Sequence, residues 1–139
     1  MAAYATTTEG DGYFNTRLYG EAWQTATPED KEKALEMATR VIDRLPLKGW
    51  KSQEAQALAF PRYPDAEIPE TVKEATFEEA LALLERGNSQ RRKLQAEGVT
   101  SMSLGGLSET YAPRAGKGLL SQEAKELLRP WLLGAVRIT

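Results

Sequence analysis

The sequence predicts a mainly α-helical domain: a small helical bundle with a β-hairpin arm and an extended C-terminal tail. Three observations predict it. Residues 28–45 and 69–86 carry apolar side chains at helical spacing between clear start and stop signals. At 99–111 the period changes to strict alternation about Gly105-Gly106. The chain's 139 residues, 41% apolar and 27% charged, suffice for one packed core and are too few for two comfortable ones. Residues 1–139 therefore read as one domain, with a bundle at 8–98, an arm at 99–111, a linker at 112–120, and a C-terminal helix with docking tail at 121–139.

The first helix is expected to start at Thr7 or Thr8, with Glu9 and Asp11 in its first turns, Tyr13, Phe14 and Leu18 on its apolar side and Gly20 as its stop. Trp23 follows in a short connector that folds back onto the core. The next helix has Thr27 as N-cap, Pro28 at its first position and Glu29 and Asp30 in its first turn. Ala34, Leu35, Met37, Ala38, Val41, Ile42 and Leu45 fill an arc of about 160°. Glu29–Lys33 and Glu36–Arg40 have the acid four residues ahead of the base, a favourable order. Pro46 ends the helix.

Residues 46–69 hold four of the seven prolines, so no regular helix crosses them. Within this stretch Gln56-Ala57-Leu58-Ala59-Phe60-Pro61-Arg62 reads as an extended apolar segment laid over the bundle. Pro69 opens a helix to Arg86, with Gly87 as its expected stop. Its apolar residues cover over half its circumference, more than one buried face requires. Asn88 or Ser89 then caps a short basic helix, 90–96. Beyond the arm, Ala112 to Gly118 reads as a hinge, Ser121 caps a helix through Leu128, and Pro130 kinks or ends it.

Composition excludes much chemistry. The chain has no cysteine and no histidine, which removes disulfides, thiolate metal sites, thiol nucleophiles and the commonest general base. Lys and Arg total 18 against 20 Asp and Glu, a net charge of −2, without the cationic excess of a general nucleic-acid binder. No stretch approaches the roughly 20 apolar residues of a membrane span, and residues 1–6 lack the pattern of a secretory signal. A soluble, cytoplasmically made chain is the expectation. Ala115-Gly116-Lys117-Gly118 fails as a phosphate loop, because a Tyr stands where the first Gly belongs and a Gly where Ser or Thr belongs. The carboxylates lie at helical spacing on faces that read as solvated, so no catalytic residue, cofactor or metal ligand is expected.

Two features point to surfaces. Glu70, Glu74, Glu78 and Glu85 fall within about 80° of one another on one helix, and Arg86, Arg91, Arg92 and Lys93 follow as a basic patch. Complementary patches on one subunit favour head-to-tail contacts; a solvated surface or a phosphate-binding patch stays open. Trp23 and Trp50 read as core or covering residues. Trp131, beside Leu132 and Leu133 after a proline, reads as an interface anchor. Residues 112–139 carry five cations and two acids, a balance that suits an acidic partner.

In order along the chain stand Tyr13-Phe14-x-x-Arg17-Leu18-Tyr19-Gly20 with Trp23, Lys33-Ala34-Leu35-x-x-Ala38-Thr39-Arg40-x-Ile42-Asp43, Gln56-Ala57-Leu58-Ala59-Phe60-Pro61-Arg62 and Ile68-Pro69-x-x-Val72-Lys73-Glu74-Ala75, then Arg92-Lys93-Leu94-Gln95 and Ser108-Glu109-Thr110-Tyr111. Together these segments resemble the head–tail connector, or adaptor, proteins of long-tailed bacteriophages and prophages, over nearly the whole chain. The resemblance implies a non-enzymatic, cofactor-free helical subunit that forms a ring of about twelve copies under the portal protein. That ring docks after packaging, extends the DNA channel without binding the DNA specifically, and carries the stopper or tail-completion protein. It implies a virion location at the neck, with synthesis in the host cytoplasm and no membrane.

On this reading Trp131, Leu132, Leu133, Arg137 and Ile138 dock on the portal, and cutting after Arg129 abolishes docking with helix content nearly unchanged. Subunit contacts fall to Glu70, Glu74, Glu78, Arg91, Arg92 and Lys93, and to Met102, Leu104 and Leu107 of the arm. Some members of the group are labelled as single-stranded-DNA-binding proteins akin to the primosomal factor DnaT, which makes a replication accessory the alternative. An adaptor for some host protein is a third class.

Overall fold

The computed structural model describes residues 3–97 and 118–133, with side chains for 3–87 and 118–133. Among the described residues the chain is mainly helical: α1 (Thr7–Asn15), α2 (Glu21–Gln24), α3 (Pro28–Asp43), α4 (Glu70–Glu97) and α5 (Gln122–Leu128), followed by a 3-10 turn at Arg129–Trp131. No strand is among them; two isolated antiparallel bridges, Leu47–Leu132 and Lys51–Arg62, are the only extended pairings there. The expected hairpin at 99–111 and the tail beyond Leu133 lie outside the described residues.

Most helix starts follow their caps. Thr27 accepts the Asp30 N–H, and Pro28 opens α3. Ser121 accepts the Ala124 N–H to open α5. The first helix is capped one residue earlier than expected, by Thr6, whose hydroxyl accepts the Glu9 N–H while Glu9 reaches back to the Thr6 N–H. Such a reciprocal box satisfies two otherwise unpartnered donors. Gly20 stops nothing. The helix ends at Asn15, and Gly20 instead stands at the start of α2, which holds the fully buried Trp23. The chain turns at Tyr19, at φ 62.

Gly87 does not stop α4 either. The helix runs through Gly87, Asn88 and Ser89 and absorbs the separate basic helix expected at 90–96, giving 28 residues, about 42 Å. A helical Gly costs about 1 kcal/mol relative to Ala. The Ala, Leu, Glu, Arg, Lys and Gln on either side are strong helix formers, and in an already propagating helix they outweigh that cost.

α4 is the central element, packed against α1, α2, α3 and α5. Seven consecutive residues, Ala75 to Leu81, are buried, so its wide apolar coverage is met by this chain's own helices. One cluster gathers Phe14, Trp23, Ala34, Leu35, Ala38, Phe77, Ala80 and Leu81. There the Trp23 ring stacks on Phe14 with centroids 5.0 Å apart, its indole N–H donates to Asp11 at 2.9 Å, and Lys31 lies over its face. Full burial of a large apolar side chain contributes about 1.5–3 kcal/mol. A second cluster joins both ends of the described chain, with Tyr4 and Leu132 among Ile42, Phe60, Val72, Leu119, Ala124 and Leu128.

Candidate functional site

The expected docking tail is partly core. Leu132 is buried, and the half-buried Trp131 sets its ring edge-on to Phe60 with centroids 5.5 Å apart. Backbone bonds from Lys48 N to Trp131 O (2.7 Å) and from Leu133 N to Pro46 O (3.0 Å) tie this segment to the loop after α3. Trp131 and Leu132 are thus held by their own chain and not presented free to a partner. Leu133 is half exposed, and Arg137 and Ile138 lie outside the described residues. The linker is pinned at its end too: Leu119 is buried, and the N–H of Leu120 is bound by Glu79.

The acidic stripe is not one surface. Glu70 is exposed and Glu74 half-buried, but Glu78 is only 5% exposed. Its carboxylate takes a two-pronged bond from Arg17, Nε to Oε2 at 2.6 Å and Nη2 to Oε1 at 2.8 Å, and a short bond from the Tyr13 hydroxyl. Burial and the adjacent carboxylate push the Tyr13 phenol well above its ordinary range, and Glu78 raises the Arg17 guanidinium further. Glu78 is therefore an internal ion-pair partner. Its pairing holds the corner on which Leu18 and Tyr19 stand 75% and 76% exposed. Arg91, Arg92 and Lys93 fall in the last third of α4, and Met102, Leu104 and Leu107 lie outside the described residues.

Two surfaces stand out among the described side chains. Past Leu81 the described side chains of α4 are half-buried, except the exposed Glu85, and the helix runs on to Glu97. Beside Leu83 and Leu84 a groove of about 650 Å³ opens toward α3, floored also by Met37 and Val41 and rimmed by Lys33, Arg40, Arg44 and Arg86. Met37, placed by its periodicity on the buried arc of α3, is in fact 45% exposed at this groove. The Glu36–Arg40 pair forms as expected, at 3.9 Å.

The second surface is in the proline-rich loop. Its two arms are joined by Tyr63 N to Trp50 O (2.9 Å), Ser52 N to Pro61 O (3.0 Å) and the Lys51–Arg62 bridge. The Arg62 guanidinium donates to the carbonyls of Lys48 (3.1 Å), Gly49 (2.7 Å) and Ala59 (3.2 Å), and Gln56 ties Leu58 to Pro61. Gly49, at φ 73, makes the bend before Trp50. These bonds set Trp50 and Tyr63 side by side, centroids 5.7 Å apart and planes 20° from parallel, 66% and 62% exposed. Trp50, expected in or over the core, belongs to neither apolar cluster. A Trp between two lysines in a Gly- and Pro-bearing loop, Lys48-Gly49-Trp50-Lys51, is the sequence signal that marks it.

Among the described residues no group of three Asp or Glu is placed to hold a metal ion, and no helix is long and apolar enough to cross a membrane. A family model described as "Putative DnaT-like ssDNA binding protein" matches residues 1–138. No curated protein and no solved structure matches the chain.

Proposed function

The chain belongs to the DnaT-like family whose model spans it; we propose that it is a head–tail connector subunit, with a single-stranded-DNA-binding accessory as the second reading. In the connector reading copies assemble into a closed ring in the virion neck, dock on the portal protein after packaging, extend the DNA channel and carry the stopper or tail-completion protein. No bond is made or broken by the subunit.

The observation that carries this reading is the groove beside Leu83 and Leu84, where Met37 is 45% exposed. A neighbouring copy seated in it buries those apolar side chains, and repeated head to tail the contact closes a ring. Lys33, Arg40, Arg44 and Arg86 outnumber Asp30 and Glu79 along the groove, a balance that suits an acidic counterpart, and Glu70 is an exposed acid on the same chain.

The second reading is favoured by the family's description and by the exposed Trp50–Tyr63 pair. Native mass spectrometry over a concentration series, with a short single-stranded oligonucleotide present, separates the two. A closed ring free of oligonucleotide supports the connector. Small species carrying oligonucleotide overturn it in favour of the accessory. A monomer that ignores the oligonucleotide removes the accessory, and ring formation on added portal protein then decides the connector.

A further inference from the structure

We infer that the Trp50–Tyr63 face is a nucleobase-stacking site for single-stranded nucleic acid, with Lys48 and Lys51 contacting the flanking phosphates. The inference rests on the second reading above and gives it a location. It begins from a side chain that core packing does not explain. Trp and Tyr are mostly buried on average, yet here two of them stack on each other while each keeps over 60% of its surface in solvent. Neither belongs to either apolar cluster or packs against it.

Their placement is also fixed in advance. The Tyr63–Trp50 backbone bond, the Lys51–Arg62 bridge and the three-carbonyl grip of Arg62 hold both arms of the loop, so the rings need little further ordering when a flat ligand arrives. The nearly parallel pair is already a two-ring stack that a third flat π-system extends. Lys48 and Lys51 flank it and are exposed, so the flat ligand favoured is one carrying negative charge at regular intervals. In a duplex the base faces are already stacked, which leaves a single strand. With only two lysines, of which Lys51 already donates to the Gln56 carbonyl at 3.2 Å, and Glu54 and Asp65 exposed in the same loop, affinity depends on stacking more than on charge.

The test uses the whole chain and a fluorescently labelled oligothymidylate of eight nucleotides, read by anisotropy, with intrinsic tryptophan quenching as a second signal. Trp23 is buried and Trp131 half-buried, and loss of the quenching in Trp50→Leu assigns the signal to Trp50. Trp50→Leu and Tyr63→Leu are each expected to weaken binding about tenfold or more. Both side chains are exposed, and unchanged thermal midpoints confirm that the variants fold. An abasic oligonucleotide of the same length is expected to bind at least as poorly. Lys48→Ala with Lys51→Ala is expected to flatten the slope of log affinity against log salt by about 1.4, two single-strand phosphate contacts. Undiminished affinity in both ring variants, or equal binding of the abasic strand, overturns the stacking site while leaving a DNA-binding function elsewhere on the chain. A wild-type chain that binds no oligonucleotide overturns the site and the second reading together.

Discussion

The carboxylate of Glu79 caps a helix to which it does not belong, its Oε1 accepting the Ser121 N–H at 2.9 Å while both oxygens lie 3.0 Å from the Leu120 N–H. Glu79 is fully buried in the middle of α4, and the two N–H groups precede the first turn of α5. A single side chain thus joins the central helix to the C-terminal one. Glu79→Ala leaves these donors without their acceptor and is expected to cost about 2–3 kcal/mol. Glu79→Gln keeps a carbonyl oxygen there and is expected to cost about 1 kcal/mol. Urea unfolding midpoints at one pH measure both; equal losses would show that the side chain's bulk, not its acceptor, is what matters.

The same residue sets a pH dependence. Burial lifts the Glu79 carboxyl above its ordinary range, opposed by the bonds from Leu120 and Ser121. The folded chain therefore binds this proton more tightly than the unfolded chain, and stability from Glu79 falls as pH rises through its folded value. Asp11 has the opposite sign: Lys31 and the Trp23 N–H hold it below the ordinary range, so its contribution is present at neutral pH and lost as pH falls through its folded value. Between pH 3 and 8, stability is expected to fall less with rising pH in Glu79→Gln, and less with falling pH in Asp11→Asn, than in the parent chain.

Gly10 meets Trp23 where no side chain fits. A Cβ built on Gly10 lies 2.5 and 2.8 Å from two carbons of the Trp23 ring. The ring cannot yield easily, stacked on Phe14 and bonded to Asp11. Gly10→Ala is expected to destabilise the fold by about 1–3 kcal/mol, although Ala is the better helix former. The neighbouring Gly12→Ala, with open space at its Cβ, is expected to be neutral or stabilising. Thermal midpoints of the pair give the comparison.

Cutting the chain after Arg129 is not a surgical loss of a tail. It removes Leu132 from the core and Trp131 from Phe60. Leu132→Ala is expected to cost about 2–4 kcal/mol, and the truncated chain to lose more, with a fall in cooperativity visible by circular dichroism. Leu133→Ala, at a half-exposed site, is expected to cost under about 0.5 kcal/mol and is the suitable probe for docking.

What was legible in the sequence follows from which forces are local. The α3 cap, proline and heptad-like apolar spacing are all short-range, and they place that helix to within two residues. The run through Gly87 was not legible, because a stop residue competes with flanking propensity and the outcome depends on the sum. The inward turn of Glu78 and Glu79 was hidden by the expectation that acids on a helix face water. A hint existed at Glu79, seven residues from Val72 and four from Ala75, on the face that those two bury. The exchange of roles between Trp50 and Trp131 depends on contacts that no local pattern encodes: Trp131 meets Phe60 across some seventy residues of chain, and the Trp50 ring stacks on Tyr63.

Tyr4 and Leu132 sit in one apolar cluster, with the Tyr4 hydroxyl bonded to Asp43 at the end of α3 and accepting from Phe60 N–H at 3.2 Å. During synthesis, then, Ile42, Phe60 and Val72 emerge with their cluster open, and it closes only when residue 132 has been made. Helices form earlier on the nascent chain, but this cluster is complete only once the chain has been made from Tyr4 through Leu132. A chain terminated before residue 132 leaves that cluster open and exposes its apolar surface to the cell's proteases.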